Sequence, residues 1–297
     1  MDLGTLRRHT RAAAIVIGAL AVLECGTLCA AEQIEIADLH VTVWSPKSEA
    51  GNAPTLIFSH GFHGCATQSR FLMEAFADAG YLVLAPNHRD ATCNDGTARW
   101  VERPTSPFGQ PDKWNDSVYR DRADDIRKLV SALGSDERLR DRADLKRLGL
   151  VGHSLGGYTV LGLGGAWPSW KLDGVKAVLA LSPYTNPFVV SKTLADLAVP
   201  VMYQGGTWDY GVTPTVSREG GSYDLTPAPK YFVEFTNAGH LVWTDLRAAD
   251  HDGIVAYAVA FLDRYVKGEP AEPALTRVTP EGARLRYSAD GAEGNLP

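Results

Sequence analysis

Three residue types in a fixed chain order point to acyl-transfer chemistry. Ser154 lies in Leu148-Gly-Leu-Val-Gly-His-Ser-Leu-Gly-Gly157, with an apolar run before it and the helix-compatible run 158–163 after it. Gly152-x-Ser154-x-Gly156 between a strand and a helix reads as a nucleophile elbow, a tight turn that lifts a serine hydroxyl above the end of a sheet. A side chain at either glycine would collide with the neighbouring element, which is why the positions are glycine. The alternative is an ordinary strand-to-helix turn carrying a solvated serine.

A serine hydroxyl is a weak nucleophile unless a base removes its proton and a carboxylate orients that base. After an elbow the partners follow in the order acid, then histidine, each on a loop beyond a strand. Asp209 follows the strand-like 200–204 through Gly205-Gly-Thr-Trp208, and His240 follows 231–235 through Thr236-Asn-Ala-Gly239. Asp224 and Asp245 are the competing acids, and Asp245 is disfavoured because it lies past the histidine. The oxyanion formed on attack needs two backbone donors. The expected donors are the N–H of Leu155, next after the serine, and the N–H of Phe62 in His60-Gly61-Phe62, after the run that ends at Ser59. Trp208, Tyr184 and Trp243 stand near these positions in sequence and are the expected substrate-contacting aromatics. Trp167 and Trp170 either join them or pack in the core. His60 and His63 could be misread as a metal pair, but two histidines without a third ligand are weak.

These residues need a scaffold. The segment 34–44 alternates loosely and predicts antiparallel leading strands. Short apolar runs at 55–59, 81–86, 148–151, 177–181, 199–203 and 231–235 predict buried strands. Helical spacing predicts helices over 68–79, 116–133 and 253–266. Strands alternating with helices predict an α/β fold, with a mostly parallel central sheet covered by helices on both faces. The stretch 92–114 has no periodicity and carries Trp100, Phe108 and Trp114, which predicts a lid or binding loop. From 269 to 297 the composition of Pro, Gly, Ala and charge predicts a surface extension or a partly disordered tail.

The segments Phe58-Ser-His-Gly-Phe-His-Gly64, His88-Arg89-Asp90, Gly152-His-Ser-Leu-Gly-Gly157 and Ala238-Gly-His-Leu-Val-Trp-Thr-Asp245 together resemble the α/β-hydrolase superfamily. More narrowly they resemble the bacterial dienelactone-hydrolase and platelet-activating-factor-acetylhydrolase-like group, over about residues 55–266. The resemblance implies Ser154, Asp209 and His240 as a triad, with Phe62 and Leu155 as oxyanion donors. Two departures stand out. Dienelactone hydrolases proper use a cysteine nucleophile where this chain has serine. The membrane-docking helices of phospholipid acetylhydrolases have no obvious counterpart here.

The remaining sequence bears on compartment and partners. Arg7, Arg8 and Arg11 precede the apolar run 12–23, with small residues at Ala30 and Ala31, so residues 1–31 read as a signal peptide. The run is short for a membrane span, so no stable span is expected after cleavage. Of the four cysteines only Cys65 and Cys93 lie beyond that segment. In an exported protein they either form one disulfide or stay as two thiols. The 297 residues carry a net charge of −6, with 45% hydrophobic and 22% charged residues and no basic patch, which argues against a nucleic-acid partner. The expectation is an exported (periplasmic or secreted) serine hydrolase, with residues 32–268 as its catalytic domain. It would cleave small carboxylic esters, with short acyl chains, without metal or organic cofactor; the oligomeric state stays open. The alternatives are an amidase, peptidase or polyester hydrolase with the same triad, or a catalytically silent binding protein on the same fold.

Overall fold

The computed structural model describes residues 31–47, 51–93, 106–276 and 282–296. The expected signal segment up to residue 30, and residues 94–105 of the expected lid loop with Trp100, lie outside the described residues.

The organising element is a ten-stranded sheet in the order β1-β2-β4-β3-β5-β6-β7-β8-β9-β10. Its strands are β1 (Glu32–Ile36), β2 (Leu39–Trp44), β3 (Ala53–Ser59), β4 (Leu82–Pro86), β5 (Ala143–His153), β6 (Val175–Leu181), β7 (Val201–Gly206), β8 (Lys230–Phe235), β9 (Ala283–Ala289) and β10 (Ala292–Leu296). The six central strands, β4 to β8 in sheet order, pair in parallel. Both margins are antiparallel. The parallel strands read as unbroken apolar runs because helices cover both of their faces. Alternation shows how this works within β3: Ile57 packs on one side with Leu84, Leu150 and Val178, whereas Leu56 and Phe58 pack on the other with Val83, Val151 and Leu179.

One face carries α2 (Arg120–Leu133) and α3 (Leu155–Leu161); the other carries α1 (Arg70–Asp78) and α7 (His251–Leu262). Every residue of α3 is buried, so this helix is held by packing and needs no polar face. The shorter helices α4 (Asn186–Ser191), α5 (Thr213–Ser217) and α6 (Ser222–Leu225) occupy the crossovers near the ends of β6 and β7. The expected helices and core strands are all present, with ends displaced by a few residues. The largest change is β5, which starts at Ala143 and takes a register shift at Leu148/Gly149, at the first residue of the apolar run.

The C-terminal expectation is corrected. Residues 283–296 form an antiparallel hairpin that extends the sheet, with β9 pairing along all of β8 from Lys230↔Ser288 to Phe235↔Ala283. The physical reason is a two-residue period: Ala283, Leu285, Tyr287 and Ala289 are buried, while Arg284, Arg286 and Ser288 between them are not. The two open cysteines are joined. Cys65 and Cys93 form a disulfide, with Cα atoms 6.0 Å apart, that ties the loop after β3 to the loop after β4.

Candidate active site

Ser154 sits at the turn from β5 into α3 with φ 55° and ψ −115°, a conformation that side-chain-bearing residues rarely adopt. The turn is closed by contacts that exclude side chains. A Cβ on Gly152 would overlap the Gly156 carbonyl, and one on Gly156 would overlap the Ser59 carbonyl. Hydrogen bonds hold the strained residue: its N–H donates to Leu181 O at 3.0 Å, and its carbonyl accepts from Tyr158 N and Tyr184 N at 3.2 and 3.0 Å.

His240 and Asp209 arrive as the strand order requires. The loop after β7 presents Asp209 and the loop after β8 presents His240, and Trp208 N–H donates to Ala238 O at 3.0 Å to tie the two loops together. His240 Nε2 is 2.9 Å from Ser154 Oγ. His240 Nδ1 faces both carboxylate oxygens of Asp209 at 3.2 Å each. Asp209 is almost wholly buried, whereas the His240 side chain is 35% exposed. The competing acids are committed elsewhere. Asp224 pairs with Arg286 at 2.9 Å, and Asp245 accepts from Phe71 N at 3.1 Å beside Arg70.

Ser182, which the sequence argument did not single out, completes the constellation. It follows β6, is fully buried, donates to Asp209 Oδ2 and lies with its Oγ 2.7 Å from His240 Nδ1. No motif marks it; the only sequence signal is that it ends a core strand adjacent to the elbow strand.

Leu155 is the first residue of α3, so its N–H belongs to the helix turn that has no intrahelical acceptor. On the facing loop, Gly61 N–H is taken by Gln68 Oε1 at 3.0 Å, and Phe62 is the next residue along; it lines the cleft. This loop is fixed from behind. Arg122, fully buried, donates from Nη1 to His60 O at 2.7 Å and from Nη2 to Gly61 O at 3.1 Å. It forms a two-pronged ion pair with Asp90 at 3.0 and 2.8 Å, and Asp90 in turn accepts His63 N–H at 3.2 Å. Burial alone would raise the Asp90 carboxyl, but the charge and hydrogen bonds of Arg122 hold it well below the usual carboxylate range. Burial first, then Arg122, pushes His60 and His88 well below the ordinary histidine value. His60 is thus part of the support, with Nε2 accepting His88 N–H at 3.0 Å and Nδ1 donating to Gly61 O at 2.7 Å.

A second set of bonds runs between the loops. Gln68 accepts from Gly61 N–H and donates from Nε2 to His153 Nδ1 at 3.0 Å; His153 Nε2–H donates to His240 O at 2.9 Å. Burial, with the nearby His240, pushes His153 down to about 3, so it stays neutral and in one tautomer.

The cavity over Ser154 has a volume of about 910 Å³. Phe62, Phe108 and Tyr184 wall one side; Val212, Leu241 and Leu246 contribute to the rest. The Phe108 ring meets Tyr184 edge-on at 5.0 Å, Tyr184 Oη donates to Phe108 O at 2.5 Å, and buried Trp114 backs both. The described end of the 92–114 loop therefore forms part of the wall. Of the three expected substrate-contacting aromatics, only Tyr184 lines the cavity. Trp243 is corrected: it is fully buried and its Nε1 donates to Gln204 Oε1 at 3.0 Å. Trp208 is corrected too, because the residue is 57% exposed and does not line the cavity. Trp167 and Trp170 pack in the core, their indole N–H groups donating to Tyr158 Oη and Asp116 O.

Comparison with known proteins fits this geometry. Two curated relatives are the proteins named cutinase est1 and cutinase est2 of Thermobifida alba, each 25% identical over 227 residues and 76% of this chain. The match covers 64% and 63% of their own lengths, so the chain spans just under two thirds of these relatives. A sequence model of a family described as PET hydrolase-like matches residues 105–273, a span that holds the elbow, Ser182, the acid and the histidine. The mixed sheet, parallel at its centre, is the α/β-hydrolase fold that the sequence motifs resemble. The chain belongs to the PET hydrolase-like family.

Proposed function

We propose that this protein is a serine hydrolase of carboxylic esters, exported from the cell, with Ser154, His240 and Asp209 as its catalytic triad. The observation that carries the reading is the continuous contact Ser154 Oγ–His240 Nε2 and His240 Nδ1–Asp209, at a strained turn opening into an apolar cavity. His240 Nε2 takes the Ser154 proton as Oγ bonds to the ester carbonyl carbon. The carbonyl oxygen becomes an oxyanion and is received by the N–H groups of Leu155 and Phe62. As the C–O bond to the alcohol breaks, His240 returns the proton to the leaving oxygen and an acyl-serine remains. Water, deprotonated by His240, then attacks that acyl group and restores Ser154. Asp209 keeps the hydrogen on Nδ1 and stabilises the imidazolium. Export is supported by the basic-then-apolar N-terminal sequence and by the disulfide, a bond characteristic of oxidising compartments. No described helix is long and apolar enough to cross a membrane.

Short acyl esters are the main reading. A polyester substrate is favoured by one specific observation: Leu241 and Leu246, which line the cavity beside His240, are large apolar side chains left exposed. Exposed apolar residues gathered at a site mouth mark a surface that meets an apolar partner. Hydrolysis of p-nitrophenyl esters from acetate to octanoate, beside release of soluble acid from an aliphatic polyester film, tests both. Ser154→Ala and His240→Ala are each expected to lose on the order of 10⁴-fold or more in kcat. Activity on acetate and butyrate with none on the film supports the first reading, and film release supports the second. Wild type that neither turns over any ester nor reacts with a fluorophosphonate overturns both in favour of a binding protein.

A further inference from the structure

We infer that Ser182 is a positioning residue of the active site, a hydroxyl bridge that fixes which ring nitrogen of His240 carries the hydrogen; the inference rests on the triad reading above. The argument is a count of donors. Ser182 Oγ touches two groups, Asp209 Oδ2 and His240 Nδ1, and owns one hydrogen. An ionised carboxylate can only accept, so the Ser182 hydrogen goes to Asp209. What Oγ then offers to Nδ1 is a lone pair, and a lone pair is satisfied only if Nδ1 carries the hydrogen. Nε2 is left bare, 2.9 Å from Ser154 Oγ, in the state needed to accept its proton. Were Ser182 to donate to His240 instead, Nε2 would hold the hydrogen and could not act as base.

The distances agree with this division. Nδ1 is closer to Ser182 Oγ, at 2.7 Å, than to either Asp209 oxygen, at 3.2 Å. The carboxylate therefore acts on the imidazole in two ways, by its charge and through the serine whose rotor it sets. A third donor, Thr213 Oγ1 at 3.3 Å from Asp209 Oδ2, helps hold the carboxylate in place.

A second, independent observation is the backbone. Ser182 has φ 43°, which a non-glycine residue adopts only under constraint, although the following Pro183 favours an extended backbone there. Its N–H donates to Gln204 O at 2.7 Å, on the strand that leads to Asp209. Such strain persists where surrounding structure imposes it, and it concentrates at functional sites. Glycine would satisfy this backbone better, so conformation alone does not account for a serine here.

That mismatch supplies the test. Ser182→Gly removes the hydroxyl and relieves the backbone; Ser182→Ala removes the hydroxyl and keeps the strain. Both are expected to lower kcat on a soluble p-nitrophenyl ester by about ten- to a hundred-fold, the size of one hydrogen bond to a charged group, with KM changed by less than roughly two-fold. A Ser182→Ala variant with wild-type kcat overturns the inference, because a loss confined to Ser182→Gly would assign the role to the strained backbone, and so does a Ser182→Gly variant with wild-type kcat. Nitrogen-15 and proton NMR of His240 gives a reading that needs no turnover. Wild type is expected to show a protonated Nδ1 and a bare Nε2 near neutral pH, and Ser182→Gly is expected to displace or lose the Nδ1 proton signal. A bare Nδ1 in wild type, or an unmoved signal in Ser182→Gly, sinks the bridge whatever the substrate proves to be. Failure of wild type on every ester would instead strike the function proposed above.

Discussion

Two aspartates flank Ser154 on loops of the same sheet, and they are held in opposite ways. Asp209 meets a histidine that is 35% exposed, at 3.2 Å, through contacts shared with two hydroxyls. Asp90 meets a fully buried arginine, at 2.8 and 3.0 Å, and the pair is wired to the backbone of the loop after β3. In the mechanism proposed above the first pair changes charge in every turnover, so its partner is an imidazole, which can take up a proton and return it. The second must never change charge. Arginine does not lose its proton in proteins, and its charge keeps Asp90 ionised. In the proposed mechanism one carboxylate serves the reaction and the other serves the geometry in which the reaction runs.

Substitution should separate these roles. Asp209→Ala is expected to lower kcat by about four orders of magnitude at a stability loss of about 1–3 kcal/mol, because it strands only neutral hydroxyls and an imidazole. Asp90→Ala strands the Arg122 guanidinium in the interior and should cost about 3–5 kcal/mol in unfolding free energy, read by urea denaturation. Equal stability losses in the two variants would erase the contrast. A milder probe is Gln68→Leu, which cuts the chain from Gly61 through His153 to His240 while leaving both ion pairs. The expected result is a several-fold fall in kcat with a stability loss of about 1–3 kcal/mol, because the Gly61 N–H and His153 Nδ1 lose their partner.

Acid should attack the static side first. His60, His88 and His153 are kept neutral in the fold, with pKa values below the ordinary histidine value, so the unfolded chain binds more protons than the folded one below about pH 6.5. Stability therefore falls as pH drops from there. Asp90, depressed in the fold, adds a further loss once pH passes below the usual carboxylate range. Asp125 works the other way: burial pushes it up to about 6, so its proton uptake favours the fold on acidification, and the raised Asp121 acts in the same sense. Three histidines outweigh these two. Urea midpoints measured from pH 7.5 to 4.5 should decline throughout, and a flat or rising curve would show that the buried cluster does not govern acid stability.

Much of the triad side was legible in the sequence, and the static side was not. Gly152-x-Ser154-x-Gly156, the chain order and the strand-end placement locate Ser154, Asp209 and His240 because each obeys a local rule of turn geometry or topology. Arg122 obeys none. It sits in Arg120-Asp-Arg-Ala-Asp-Asp125, a charge run that reads as a solvated helix face, and only the packing of α2 against the sheet turns it inward. Trp243 and Trp208 failed for the same reason in reverse, since adjacency in sequence says nothing about which way a ring points. The hairpin 283–296 carried its signal in the alternation of Ala283, Leu285, Tyr287 and Ala289, outweighed by the composition around it.

That hairpin also bears on how the chain can be handled in solution. Cutting it at Gly268, where composition invites a boundary, would strip β9 from β8 and leave Tyr231, Phe232, Val233 and Phe235 on a bare sheet margin. An unpaired strand that is apolar and continuous is a template for joining other chains edge to edge. A trimmed version would thus keep every residue of the triad and still be drawn toward aggregation.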